Sequence, residues 1–265
     1  MSYLFPTIPD DKLSILVISD IHGSRKVLES LPSFLEHRPV DFAIVAGDVL
    51  DLEHSFDPAL LPKFDSQLAD YLSVISSLTS LVFYILGNHD PLNSRMPKST
   101  NVLRQCCHKS DIRITPGLRI TGLNGSIPSV LESTGNLIYT GNPYNSDYEY
   151  SKDLSQITQI IGESSDKYIL LTHTGPHGIK TTYHHNTNKG HVFMGSQSLE
   201  KVLKERDQSF LINIHGHTHD GQGLVDLGGV PVLNPGAAVD GHVAILNLKK
   251  NDEWEIEGVE FLSIM

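Results

Sequence analysis

Short runs of apolar residues recur along the chain, with space for helices between them. The first three cover residues 13–19, 41–46 and 81–86, and they have the length and β-branched content of buried strands. Helix-like stretches at about 24–37 and 62–78 separate the runs. This alternation predicts a parallel sheet whose strands are joined by crossover helices.

A second set of strand-like runs follows in the rest of the chain. These runs cover residues 118–126, 167–173, 210–216, 223–234 and 242–248, with helix-like segments at about 147–162 and 195–206. Neither an internal repeat nor a linker interrupts the pattern. We therefore expect a single domain over residues 1–265, with a core at about 13–220 and C-terminal strands at about 223–262.

Two shorter stretches have a less regular pattern. Residues 180–194 are polar and rich in histidine, including His184, His185 and His191, and we interpret them as a long loop. The adjacent Cys106 and Cys107 are assigned to a helix, where packing is a more common role for cysteine than chemistry.

Five of the predicted strands end in side chains that can bind metal ions. These side chains are Asp20 and His22, Asp48, Asn88 and His89, His173, and His217 and His219. We expect them to converge, because ligands of such sheets bind beyond the carboxyl ends of the strands. Carboxylate, amide and imidazole donors together suit divalent Mn, Fe, Zn or Co, and this number of donors fits two ions better than one.

The overall charge and composition exclude several other classes of protein. Acidic residues outnumber basic ones by 31 to 20, for a formal net charge of −11, and no basic stripe is visible, so nucleic acid is not an expected partner. No window approaches the ~18 apolar residues of a membrane span. The N-terminal stretch lacks the features of a signal peptide, and the two cysteines form no disulfide framework, so we expect a cytoplasmic protein.

The polar blocks also have a recognisable order. "DIHG", "GDV", "GNHD", a later histidine and "GHTH" follow one another as in the calcineurin-like metallophosphoesterase superfamily, which the chain resembles over about residues 15–220. One block alone would be weak, but all five are present in order. The resemblance implies an α/β fold, a four-layer αββα sandwich of two mixed sheets flanked by helices.

The resemblance also implies a role for each candidate residue. Asp20, His22 and His219 would bind one metal ion, and Asn88, His173 and His217 would bind a second. Asp48 would bridge the two ions. His89 would lie beside the phosphate without binding metal, and Asp90 would orient its imidazole.

The function implied is that of a dinuclear-metal-dependent phosphoesterase acting on a phosphomonoester or a phosphodiester through a metal-bridging hydroxide. The alternative is a catalytically weak protein-interaction scaffold of the same fold, which the complete set of ligand positions disfavours.

Two further histidines receive structural interpretations. His215 is assigned to the core. His177 could line the site, although a loop imidazole with a hydrogen bond to the backbone is the more common case. The substrate and the oligomeric state stay open.

Overall fold

The computed structural model describes residues 8–52, 58–92, 103–131, 133–162, 164–186, 190–205 and 207–265. The side chains of residues 184–191 lie outside the described part, and so do the predictions made for His184, His185 and His191. Within the described ranges, no helix is both long and apolar enough to cross a lipid bilayer.

The described residues contain four α-helices, each close to a predicted helix. They are α1 (Arg25–Leu35), α2 (Leu61–Thr79), α3 (Asp147–Ile161) and α4 (Gln197–Glu205). In α1 the buried residues are Val27, Leu28, Leu31 and Phe34, which are spaced by one to three residues and so form one apolar face. Ser146 caps α3, since its side chain accepts a hydrogen bond from the N–H of Glu149.

The strands form two large sheets and one small sheet. The first half of the chain provides β1 (Lys12–Ile18), β2 (Phe42–Ala46), β3 (Val82–Ile85), β4 (Arg104–Cys106), β5 (Ile112–Thr115), β6 (Leu118–Leu123), β7 (Ser129–Leu131) and β8 (Leu137–Tyr139). The second half provides β9 (Lys167–Thr172), β10 (Tyr183–Asn186), β11 (Gly190–Phe193), β12 (Phe210–Ile214), β13 (Gly223–Leu227), β14 (Val230–Asn234), β15 (His242–Lys250) and β16 (Trp254–Ser263).

Each large sheet has six strands and is mixed. The first has the order β16-β15-β1-β2-β3-β4, in which β1 to β4 are parallel and β15 pairs antiparallel with β1 and with β16. The second has the order β13-β14-β12-β9-β6-β5, with a parallel centre and antiparallel edge strands. The predicted parallel arrangement of the first three strands is confirmed.

The two sheets pack face to face around a shared apolar core. Phe42 and Phe83 of the first sheet lie edge to face, with ring centroids 5.2 Å apart, in the same buried cluster as Ile169 and Ile212 of the second sheet. Helices α1 and α2 cover the outer face of the first sheet, and α3 and α4 cover that of the second. This is the four-layer αββα sandwich that the resemblance implied.

The prediction of a loop over residues 180–194 is wrong. Strands β10 and β11 form an antiparallel hairpin there, and β11 also pairs with β7 in a small sheet of order β10-β11-β7-β8. Tyr183 and Phe193 are paired across the hairpin, with ring centroids 5.0 Å apart, and Val192 is fully buried. The apolar residues that pair, Tyr183 and Phe193, lie near the two ends of the stretch. Because the residues between them are mostly polar, hydrophobic periodicity does not predict the hairpin.

The helix assigned to Cys106 and Cys107 is also wrong. Cys106 is the last residue of β4, an edge strand of three residues beside β3. Cys107 follows it and is buried in the core between the sheets. Its predicted packing role is therefore confirmed on a different element.

Candidate metal centre

The predicted ligands meet in two clusters at one edge of the sandwich. In each cluster one possible ligand atom per residue lies within 4.8 Å of the others. The first cluster contains Asp20, His22 and His219, and the second contains Asp48, His173 and His217. Five of these residues lie in loops that directly follow strands of the two large sheets, and His219 begins a short 3₁₀ helix, His219–Gly221, after the loop that follows β12. His22 also belongs to a third group with metal-ligand spacing, together with Asp51 and His89.

The first cluster is built around Asp20. Its Oδ1 atom lies 3.4 Å from Nε2 of His219 and 3.8 Å from Nε2 of His22, and the two imidazole nitrogens are 3.1 Å apart. Both Asp20 oxygens also accept hydrogen bonds from the backbone N–H of His217, at 3.2 and 3.1 Å. These bonds tie the loop after β1 to the loop after β12.

The second cluster is centred on His173, whose side chain is fully buried. Its Nε2 atom lies 3.1 Å from Oδ1 of Asn88 and 3.1 Å from Oδ2 of Asp48. Its Nδ1 atom lies 2.8 Å from the carbonyl oxygen of Ala46, to which it can donate. A hydrogen bond of this kind fixes the tautomer in which Nε2 can bind a metal ion.

Asp48 lies between the two clusters. The Oδ2 atom that is 3.1 Å from His173 Nε2 is also 3.8 Å from Nε2 of His22. Its other oxygen, Oδ1, accepts a hydrogen bond of 2.7 Å from the backbone N–H of His89. This placement is the one expected of a bridging carboxylate.

Several of these residues have an unusual backbone conformation. Asp20, His22, Asp48 and His217 have φ values of 55°, 48°, 49° and 68°, in the left-handed region that residues other than glycine seldom adopt. Residues two apart on an extended segment face the same way, which would be the simplest reason for Asp20 and His22 to converge. That reason is wrong, because β1 ends at Ile18 and both residues are left-handed.

Burial and mutual charge shift the pKa values of the second cluster in different directions. Burial alone would raise the pKa of Asp48, but the charge and hydrogen bond of His173 outweigh it and hold that pKa below its usual range. Burial likewise opposes the charge on His173, yet Asp48 raises its pKa to about 9. Burial and the charge of His173 lower the pKa of His217 to about 3, so this imidazole stays neutral.

His217 supplies an independent indication that the donors fit a metal ion. Its Nε2 atom is buried and has no hydrogen-bond partner among the described residues. Buried polar groups without a hydrogen-bond partner are rare in folded proteins, and a bound ion is one explanation for them. A neutral imidazole with a free buried nitrogen is the form that binds divalent cations.

His89 lies beside the first cluster, with its ring 5.0 Å from that of His22. Its Nδ1 atom is 3.1 Å from Oδ1 of Asp51, and the same oxygen is 3.3 Å from Nδ1 of His22. Sequence reasoning missed Asp51. Its position three residues after Asp48, in the same loop beyond β2, was the available signal.

The role of Asp90 in orienting His89 stays a prediction, and its carboxylate lies against backbone N–H groups of two loops. Its buried carboxylate accepts hydrogen bonds from the backbone N–H groups of Val49, Leu50 and Gly87, at 3.1, 2.7 and 2.9 Å. These bonds hold the loop after β2 against the loop after β3. The carboxylate that faces the His89 ring at 3.1 Å is that of Asp51.

The two remaining histidines have separate outcomes. His215 is fully buried, with Nε2 2.9 Å from Oγ1 of Thr181 and Nδ1 3.0 Å from the carbonyl oxygen of Gly216, which confirms its structural assignment. The His177 imidazole differs from prediction. Its Nδ1 atom lies 3.7 Å from a carboxylate oxygen of Glu200, and its ring lies 4.7 Å from that of Phe193.

Known structures share this architecture at low sequence identity. The chain resembles TT1561 of Thermus thermophilus, with a TM-score of 0.60 and 18% identity, over 96% of this chain and 99% of the other. It also resembles a dimetal phosphatase from Danio rerio, with a TM-score of 0.56 and 13% identity, over 97% and 99% of the two chains. At these identities the likeness concerns the fold.

Sequence comparison adds a curated relative and a family. A putative phosphoesterase, 078R, from Invertebrate iridescent virus 3 is 30% identical over 93 residues, which cover 32% of this chain and a quarter (25%) of that relative's length. The profile of the calcineurin-like phosphoesterase family matches residues 13–221, which include every residue of the two clusters. This chain therefore belongs to the calcineurin-like phosphoesterase family.

Proposed function

We propose that this protein hydrolyses a phosphomonoester or a phosphodiester with the help of two divalent metal ions. One ion would be held by Asp20, His22 and His219. The other would be held by Asn88, His173 and His217. Asp48 would bind both ions. The observation that carries the proposal is the position of Asp48 Oδ2, 3.1 Å from His173 and 3.8 Å from His22 in the neighbouring cluster. The donor set suits Mn, Fe, Zn or Co.

Two such ions would supply positive charge against the phosphate oxygens and activate a water molecule. His89 would donate a proton to the leaving oxygen. Its side chain is about one-third exposed, at 34%, so a substrate can reach it from the solvent side of the clusters. Asp51, whose Oδ1 lies 3.1 Å from Nδ1, would stabilise the protonated imidazole through its negative charge.

The direct test is a metal-reconstituted screen. The protein is stripped with a chelator, reloaded separately with Mn, Fe, Zn or Co, and assayed on aryl phosphomonoesters, phosphodiesters and cyclic nucleotides. We expect hydrolysis that depends on the added metal and that Asp48→Asn abolishes. Asp10→Asn, which changes an exposed carboxylate, is the matched control and should keep full activity.

One result would overturn the proposal. If the protein binds metal ions but cleaves no phosphoester with Mn, Fe, Zn or Co, it is not an enzyme of this class. The scaffold alternative would then replace the proposed function. Activity that persists in Asp48→Asn would instead contradict the role given to the bridging carboxylate.

A further inference from the structure

A cavity of about 300 Å³ lies beside the small sheet, where α3 and α4 begin. The apolar side chains of Ile127, Pro128 and Val130 line it, together with the rings of His177 and Phe193. The two rings are 4.7 Å apart and tilted by 36°. They provide a partly exposed aromatic surface in a cavity that has both apolar and polar walls.

This cavity is attached to the loop that carries a proposed metal ligand. His177 follows His173 by four residues, so their Cα atoms are at most about 14 Å apart. The backbone N–H of Ile127 donates to Oγ1 of Thr174, the residue after His173, at 3.4 Å. The loop after β9 therefore runs from the second cluster to the wall of the cavity.

The polar groups of the cavity favour an uncharged ligand over a second anion. The Asp147 carboxylate lines it and accepts hydrogen bonds from Oγ of Ser196 and from the N–H and hydroxyl of Ser198, so it occupies the start of α4 where an anion could otherwise bind. Asn145 and Gln197 also line the cavity, and their amides can both donate and accept hydrogen bonds. Apolar walls, two neighbouring tilted rings and amides together suit a flat ring with a polar edge.

We infer that this cavity is a substrate subsite for a planar ring, either an aryl group or a nucleobase, that is carried by the phosphoester. The ring would stack on Phe193 and His177 while the phosphate lies at the metal centre. This inference deepens the proposed function and rests on it. It makes ring-bearing phosphodiesters the preferred substrate class.

The test compares three phosphodiesters that release the same group, p-nitrophenolate. The other ester group is methyl, phenyl or the 5′-oxygen of thymidine, so that only the group offered to the cavity changes. We expect kcat/KM to exceed that of the methyl ester by about tenfold for at least one ring-bearing ester, as stacking on an aromatic side chain allows. The better of the two esters identifies the ring as aryl or nucleobase.

Two substitutions at Phe193 test whether the preference for ring-bearing esters arises in the cavity. Phe193→Ala and Phe193→Leu remove the planar surface, and the second keeps most of the apolar volume. Both should bring the ratio of kcat/KM for the ring-bearing and methyl esters towards one. Tyr139→Ala removes an exposed ring of β8, a strand of the same small sheet, and should leave that ratio as it is. Melting temperatures show whether each variant is folded.

A second readout does not depend on the metal centre. Ligand-observed NMR with thymidine or phenol, neither of which carries phosphate, should show saturation transfer that weakens in Phe193→Leu. If the wild-type protein cleaves all three esters equally and binds neither ring, the subsite is refuted while the phosphoesterase stands. If it cleaves none of the three but binds the ring, the proposed function fails instead.

Discussion

At the scale of single residues, the site depends on backbone conformations that a sequence pattern does not reveal. Asp20, His22, Asp48 and His217 are left-handed, a state that costs about 1–3 kcal/mol at a residue other than glycine. The motifs predicted which residues meet, but strand alternation gave the wrong reason for it. Asp51 was missed because its position in the same loop as Asp48 is all that singles it out in the sequence.

The His89→Asn variant tests whether His89 donates a proton or binds a metal ion. The hydrogen bond to Asp48 comes from the backbone of His89, so the substitution leaves it in place and metal content should not change. Turnover should fall by ~10²–10⁴-fold, the usual contribution of general acid catalysis. The loss should be smaller for a nitrophenyl ester than for an alkyl ester, because nitrophenolate needs less protonation. Loss of an ion, or an equal loss of rate on both esters, would contradict this role.

Asp51→Asn should reproduce part of that defect. Because Asp51 Oδ1 also lies 3.3 Å from Nδ1 of the proposed ligand His22, the substitution should weaken metal binding at the first cluster as well, so rates are compared at saturating metal. The Asp51 side chain is 62% exposed, so we expect no change in melting temperature. Residues that orient a ligand or a catalytic imidazole typically contribute about 10–100-fold. Steady-state kinetics on the same two esters give the size of the effect. Full activity in this variant would show that the contact with His89 has no catalytic role.

At the scale of elements, long buried runs were predictable and short pairings were not. Strands β1, β2, β3, β9 and β12 are fully or almost fully apolar, and each was found from its composition. The hairpin β10–β11 and the strand β4 escaped prediction because they are short and largely polar, and because β11 pairs with β7, about sixty residues earlier in the chain. The cavity beside the small sheet depends on that pairing.

The loop after β3 approaches Asp48, the proposed bridging carboxylate, so closely that only glycine fits. A Cβ atom on Gly87 would overlap Oδ1 and the backbone nitrogen of Asp48. Gly87→Ala should therefore displace Asp48, lower the melting temperature and reduce the bound metal, with a cost in stability of about 1–3 kcal/mol. Gly258→Ala is the matched control, since a Cβ atom there meets nothing within 4 Å. Full metal content in Gly87→Ala would contradict this account of the loop.

At the scale of the whole molecule, the two large sheets share one core, which favours a single folding unit. The core cluster contains residues of both sheets, and the indole N–H of the buried Trp254 donates to the carbonyl oxygen of Pro116 at 3.1 Å. Trp254 starts β16 of the first sheet, and Pro116 lies between β5 and β6 of the second. The order of the motifs predicted this architecture through the family resemblance, whereas periodicity alone predicted only a parallel sheet.

We therefore propose that residues 8–265 unfold as one domain. Circular dichroism and the fluorescence of Trp254, the only tryptophan, should give the same midpoint on heating or in denaturant. Phe83→Ala removes a buried ring of the shared core and should lower both midpoints together, with a cost of about 3–5 kcal/mol. Two separate transitions, or a shift in only one of the signals, would show that the sheets belong to different folding units.

The central claim is that Asp48 joins two metal sites, and metal stoichiometry tests it most directly. Wild-type protein and Asp48→Asn are loaded with Mn or Zn, freed of excess metal by gel filtration and measured by elemental analysis, with Asp10→Asn as the control. We predict about two ions per chain in the wild-type and control proteins, as in other two-metal sites, and a loss at both sites in Asp48→Asn, to about one ion or less. A single ion in the wild-type protein, or two ions retained in a folded Asp48→Asn variant, would contradict the account.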